Sequence, residues 1–210
     1  MLDIGAGAGT FAIPLAATAR KVTAVEPSPA QVKRLSAAIA DAGARNIDIL
    51  QSRWEEVDIQ SLDSQDLVLA VHSFQMLDIA VALRKMCAMA SSCIALIHTA
   101  GHNLATLSRE LFDIEPGPDY TYLQRILIGL GYDPTVTIVA YGYDIPLDIQ
   151  LDALSFNPGL SEAQCATLRR YFQEHGLTNI RDGKAWIHRS YRDALITITS
   201  DNNLVQEELP

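Results

Sequence analysis

Three cysteines in 210 residues, Cys87, Cys93 and Cys165, are too few and too irregularly spaced for a disulfide framework or a C-x-x-C zinc site. They read as small buried hydrophobes in a reducing compartment, so a cytoplasmic location is expected. Basic residues are also scarce: 16 Lys and Arg stand against 25 Asp and Glu, a formal charge of −9. That balance repels phosphate backbones and anionic lipid alike, and no basic patch offsets it. Neither nucleic acid nor a membrane surface is therefore an expected partner. No apolar run reaches the roughly 18 residues that cross a bilayer, and the opening lacks the basic stretch of a secretory leader. There is no internal repeat and no low-complexity segment, which excludes a repeat architecture.

What the chain does have is apolar material, 49% of its residues, enough for one compact domain over residues 1–200. In the first hundred residues short β-branched runs alternate with amphipathic stretches, the pattern of parallel strands joined by crossover helices. Strands are expected at 1–4, 21–25, 46–50, 66–71 and 93–98. Helices are expected at 10–19, after a capping box at Ser28-Pro29-Ala30-Gln31 with Gly43 as the stop, and after an Asp78 cap. Further on, 103–112 and the stretch from Tyr120 read as helices, with the acidic loop Asp113 to Asp119 between them. Two long strand signals follow, at 135–147 and 186–199, and suggest an antiparallel edge. Between them a capping box at Ser161 marks a small helical insertion, about 148–185. The acidic tail 201–210 reads as disordered.

The chemically informative residues come first: "MLDIGAGAGT". A strand running into glycine-rich backbone and then a helix brings amide groups close to a ligand, because glycine has no Cβ to hold the ligand away. A dinucleotide fingerprint needs G-x-G-x-x-G. Here the glycines are Gly5, Gly7 and Gly9, and Thr10 stands where the third would fall, which disfavours an NAD-dependent oxidoreductase.

The pattern D-x-G-x-G-x-G, with Asp3 two residues before the first glycine, resembles motif I of the class I S-adenosylmethionine-dependent methyltransferases. That resemblance implies a doubly wound, mostly parallel Rossmann-like α/β sheet with S-adenosyl-L-methionine as cofactor and S-adenosyl-L-homocysteine as product. It further implies that Asp3, Gly5, Ala6, Gly7 and Gly9 form the cofactor turn and that Glu26, followed by Pro27, grips the ribose hydroxyls. A carboxylate suits that task because it accepts two hydroxyl donors at once. Where the family usually has an acid for the adenine amino group, this chain has Arg53. Trp54 then either covers the adenine face, with Glu55 nearby, or is a core aromatic. Val71 and His72, after the fourth strand, fall beside the methyl donor at the carboxyl edge of the sheet.

His72 is the candidate general base, because imidazole as a side-chain type suits proton transfer near neutral pH, with a packing role as the plain alternative. Together with His72, His98 and His102 invite a metal-site reading, but the latter two straddle Gly101 at an expected strand exit, where helical i,i+4 geometry is not assured, so no metal is expected. His175 and His188 read as structural. The "VHSFQML" stretch has none of the residues typical of nucleic-acid amino methylation, and the expected acceptor is a small molecule. The acidic loop and Tyr120, Tyr122, Tyr141 and Tyr143 are candidates to border its pocket, against a plain loop and core aromatics. Family members carry helices before the first strand that are missing from this sequence. A truncated or degenerate, non-catalytic member is therefore the alternative to a working enzyme.

Overall fold

The computed structural model describes residues 1–156 and 159–199; the acidic tail lies outside them. The described residues divide into two compact units, one of 1–98, 119–138 and 194–199, the other of 99–118, 139–156 and 159–193.

The first unit contains the core of a parallel sheet. Its strands β1 (Leu2–Ile4), β2 (Val22–Val25), β3 (Ile47–Leu50) and β4 (Gln65–Val71) pair in parallel in the order β3-β2-β1-β4, and β4 pairs in parallel with β5 (Ala90–His102). Beyond β5 the order continues through β8 (Lys184–Thr199) to β6 (Thr135–Pro146), giving a mixed α/β sheet that is mostly parallel with an antiparallel edge, as the sequence pattern predicts. Alternation along the strands splits the core between the two faces of the sheet. Val22 and Ala24 pack with Ala12, Ala16 and Leu35 of α1 (Ala12–Ala16) and α2 (Pro29–Ala42). Leu2, Ile4, Val25, Val68 and Ala70 pack on the other face with Leu83 and Met86 of α3 (Ile79–Met89) and Leu123 and Leu127 of α5 (Tyr120–Gly129). Because order reverses at β1, the carboxyl ends of β1 and β4 open a crevice of the kind in which such sheets bind ligands.

Local signals explain most of these elements. Ser28 accepts from the Gln31 amide, proline occupies the first turn of α2, and Gly43 closes it at φ 64°. The capping box expected there is only half made, since the Ser28 amide donates to Glu26 Oε1 and not to Gln31. Asp78 caps α3 as expected. α1 is shorter than the predicted 10–19, because turns occupy the residues on either side of it.

The second unit is built on the helices α4 (Asn103–Phe112), α6 (Leu147–Phe156) and α7 (Glu162–Glu174). Leu104, Leu107, Leu147, Leu151, Leu168 and Phe172 form its core. At Ser161 the capping box is complete, with serine and Gln164 bonding reciprocally. The insertion is not wholly helical, however: β7 (Thr178–Arg181) pairs antiparallel with β8. The turn between them carries Asp182 and Gly183 at φ 50° and 72°, the conformation that two-residue hairpins favour and that a D-G pair supplies.

Candidate cofactor site

The loop after β1 alternates its backbone handedness. Gly5, Gly7 and Gly9 take φ of 74°, 57° and 94°, while Ala6 and Ala8 between them do not enter the left-handed region. Alternation of this kind curls the loop tightly and turns its amides inward: those of Gly5 and Ala6 donate to Val25 O and that of Gly9 to Ala6 O, so the loop offers a ligand bare backbone surface. The three glycines serve different ends. A Cβ on Gly5 would fall 2.3 Å from Ser73 Cβ, and one on Gly9 2.5 Å from Leu35 Cδ1, so both are required by packing. A Cβ on Gly7 would meet nothing within 4 Å. The turn is therefore sealed at its ends and open over Gly7.

Glu26, at the end of β2, is buried and holds the loop directly. Its Oε2 accepts from the Gly7 amide at 2.9 Å and its Oε1 from the Ser28 amide at 2.9 Å. A carboxylate has about four acceptor positions, so two remain for a ligand's hydroxyls. Asp3 lies inside β1, only 2% exposed, and its Oδ2 is buried without a hydrogen-bond partner. Burial pushes its carboxyl up to about 6, the Ala12 amide holds it down in part, and the nearby Glu26 charge adds to the rise. An orphaned buried acceptor beside an open glycine turn and a hydroxyl-ready carboxylate fits a ligand that is cationic at one end and carries a diol. Pro27 is exposed next to Glu26.

On the opposite wall β4 ends at the half-buried Val71, and the exposed His72 follows at φ 50°. This is left-handed backbone that histidine tolerates better than most residues, at a cost of order 1 kcal/mol. The His72 amide donates to Ile97 O, which fixes the turn. The His72 ring stands 5.9 Å from that of His98, which in turn meets Phe74 and Tyr122 edge-on at 5.2 and 5.6 Å.

One expected contributor takes another position. Trp54 is 2% exposed, packed in the core cluster, with its indole N–H donating to Ala82 O at 3.1 Å and Lys85 4.7 Å above its ring. It therefore has no free face to cover an adenine, and the core alternative holds. Arg53 is exposed and precedes the short 3-10 turn Trp54–Glu56 without capping it through its side chain. His102 lies in the second unit, where its Nδ1 caps α4 by accepting from the Ala105 amide. Among the described residues no group of three His, Cys, Asp or Glu is placed to hold a metal ion. Of the four tyrosines, Tyr120 and Tyr122 lie on α5 in the first unit, and Tyr141 and Tyr143 are exposed on β6 in the second. Ser73, whose hydroxyl donates to Ile4 O at 2.7 Å while its Cβ sits against Gly5, escaped the sequence reading because nothing local marks a contact 69 residues away.

Residues 1–92 match the methyltransferase-domain family model. Similar solved structures include the YcgJ protein of Bacillus subtilis, 18% identical, with a TM-score of 0.64 over 94% of this chain and 90% of that one. Precorrin-6y C5,15-methyltransferase from Geobacter metallireducens is 18% identical, TM-score 0.55, over 94% of this chain and 78% of its own. Magnesium protoporphyrin IX methyltransferase from Synechocystis, with S-adenosylhomocysteine bound, is 13% identical, TM-score 0.55, over 95% and 73%. No curated protein matches the chain. Among the described residues no helix is long and apolar enough to cross a membrane. With its β3-β2-β1-β4-β5 parallel core and the glycine turn at the switch point, the chain has the class I methyltransferase fold, and its first 92 residues carry the methyltransferase-domain pattern.

Proposed function

We propose that this protein is an S-adenosylmethionine-dependent methyltransferase acting on a small-molecule acceptor. The observation that carries the reading is the three-part arrangement at the β1 and β2 ends: a glycine turn with open space over the Gly7 Cα, a buried Glu26 carboxylate that accepts from the Gly7 amide, and an orphaned Asp3 oxygen. The bound cofactor would supply a methyl group already activated by positive sulfur. What remains for the chain is alignment and exclusion of water. Glu26 would accept the ribose hydroxyls, the Gly5 to Gly9 backbone would lie along the methionine portion, and Asp3 would balance its cationic end. Val71 and His72 would border the reacting methyl, and His72 Nδ1 or Nε2 would take a proton from the acceptor. The chain's −9 charge favours a small molecule over nucleic acid as acceptor.

Calorimetric titration of the full chain with S-adenosylhomocysteine and, separately, NADH tests this. Saturable micromolar binding of the first and none of the second is expected. Silence from both ligands would move the chain to the non-catalytic reading, and heat from NADH alone to a dinucleotide enzyme.

A further inference from the structure

We infer that the second unit has a binding site of its own, for a small organic carboxylate that carries a planar ring. A hollow of about 590 Å³ opens there, lined chiefly by His102, Asn103, Tyr141, His188, Tyr191 and Arg192. That volume falls within the range of small-molecule sites. None of its lining residues is a carboxylate, although acids outnumber bases 25 to 16 in the chain.

Beneath the lining lies a cation that meets no carboxylate among the described residues. Arg189 is 3% exposed, and its guanidinium is held by Asn103 Oδ1 at 3.2 Å, by Gln150 Oε1, by His102 Nδ1 at 3.5 Å and by the Tyr191 ring at 4.6 Å. Every one of these partners is an uncharged acceptor; burial and Arg189 itself keep His102 below its usual titration range. A buried guanidinium paired only with neutral groups is electrostatically unbalanced, and an anion brought close to it recovers Coulomb energy while only the anion, not the already buried guanidinium, has to shed water. The amino end of α4 points the same way, since Gly101, His102, Asn103 and Thr106 all line the hollow. Arg192 adds a second guanidinium, its Nη2 3.4 Å from where a Cβ on Gly101 would stand. The neighbouring acids are already engaged: Asp144 by Arg181 and His188, and Asp193 by the Tyr141 hydroxyl.

The ring preference comes from the tyrosines. Tyr191 stacks with Tyr141 at 5.5 Å and 12° and with Tyr143 at 5.6 Å and 13°, a layered wall of parallel rings. Tyr141 is 45% exposed, so part of that wall faces solvent. A conjugated ring laid parallel to it would extend the stack while its carboxylate turns toward Arg192 and the α4 amides.

The test is calorimetry of the full chain with 2-naphthoate, with 2-naphthamide as the uncharged analogue and inorganic phosphate as the ringless anion. Saturable 2-naphthoate binding with a Kd below about 1 mM is expected, at least tenfold tighter than either control. Arg192→Ala and Tyr141→Ala should each weaken it tenfold while leaving S-adenosylhomocysteine affinity unchanged, which separates this site from the glycine turn. Equal affinity for 2-naphthamide, phosphate binding as tight as 2-naphthoate, unaltered binding in both variants, or no heat from 2-naphthoate would each overturn the proposal.

Discussion

At the scale of single residues, Gly7 and Asp3 are the most exposed to test. Gly7 combines positive φ with empty space in front of its Cα, so Gly7→Val puts a branched side chain into the ligand's volume and strains the turn by about 1–2 kcal/mol. The variant should melt a few degrees lower and bind S-adenosylhomocysteine at least a hundredfold more weakly; unchanged affinity by calorimetry would remove the turn from the site. Asp3 predicts a pH effect with a definite sign. Its folded carboxyl titrates at about 6, above the ordinary 3.8, so the folded state holds the proton more tightly than the unfolded one. Stability contributed by this group is full below about pH 4 and falls as pH rises to about 6, a loss of about 3 kcal/mol. Asp3→Asn should flatten that part of the stability-pH curve in urea titrations and raise stability at pH 7. The same ionisation should tighten binding of a cationic cofactor as pH rises through 6, and Asp3→Asn should abolish that dependence.

At the scale of elements, local signals and observed boundaries agree where one residue performs one local task. The Ser161 box sets the start of α7 because both reciprocal bonds lie within four residues. Ser161→Ala should therefore cost about 1 kcal/mol and lower the melting temperature by about 2–4 °C, read by circular dichroism. An unchanged melt would mean that the tertiary packing of Leu168 and Phe172 alone sets the helix. The similar box at Ser28 stayed half made because Glu26, two residues away, takes the serine amide for the cofactor loop. β7 was legible in "NIRDGKAW", whose D-G pair marks a hairpin, but the flanking helical periodicity outweighed four residues of strand. Trp54 read equally well as a site residue or a core residue; the Ala82 carbonyl 28 residues on decides between them.

For the molecule as a whole, burial is unevenly distributed through the sheet. β1 and β2 are buried along their full length and sit inside the order β3-β2-β1-β4, whereas β6 ends the order and exposes most of its residues. Native-state hydrogen exchange should therefore be slowest at β1, β2 and the centre of β4 and much faster in β6. Slower exchange in β6 than in β1 would contradict this ordering of local stability. Burial on α3 pushes the Cys87 thiol up to about 11, so it should resist thiol reagents at neutral pH until the chain unfolds.

What the sequence by itself determined is whatever depends on neighbours a few residues apart: the strand-glycine-helix turn, the helix caps, the alternation of strands and helices, and with them the class of fold. These rest on backbone preferences and short hydrogen bonds, which are encoded where they act. The tertiary structure alone decided that Glu26 grips the Gly7 amide, that Trp54 is sealed in the core, and that Arg189 meets Asn103 86 residues away and Gln150 39 residues away. Such contacts exist only after packing has brought distant segments together, and their energies depend on the low-dielectric surroundings which that packing creates.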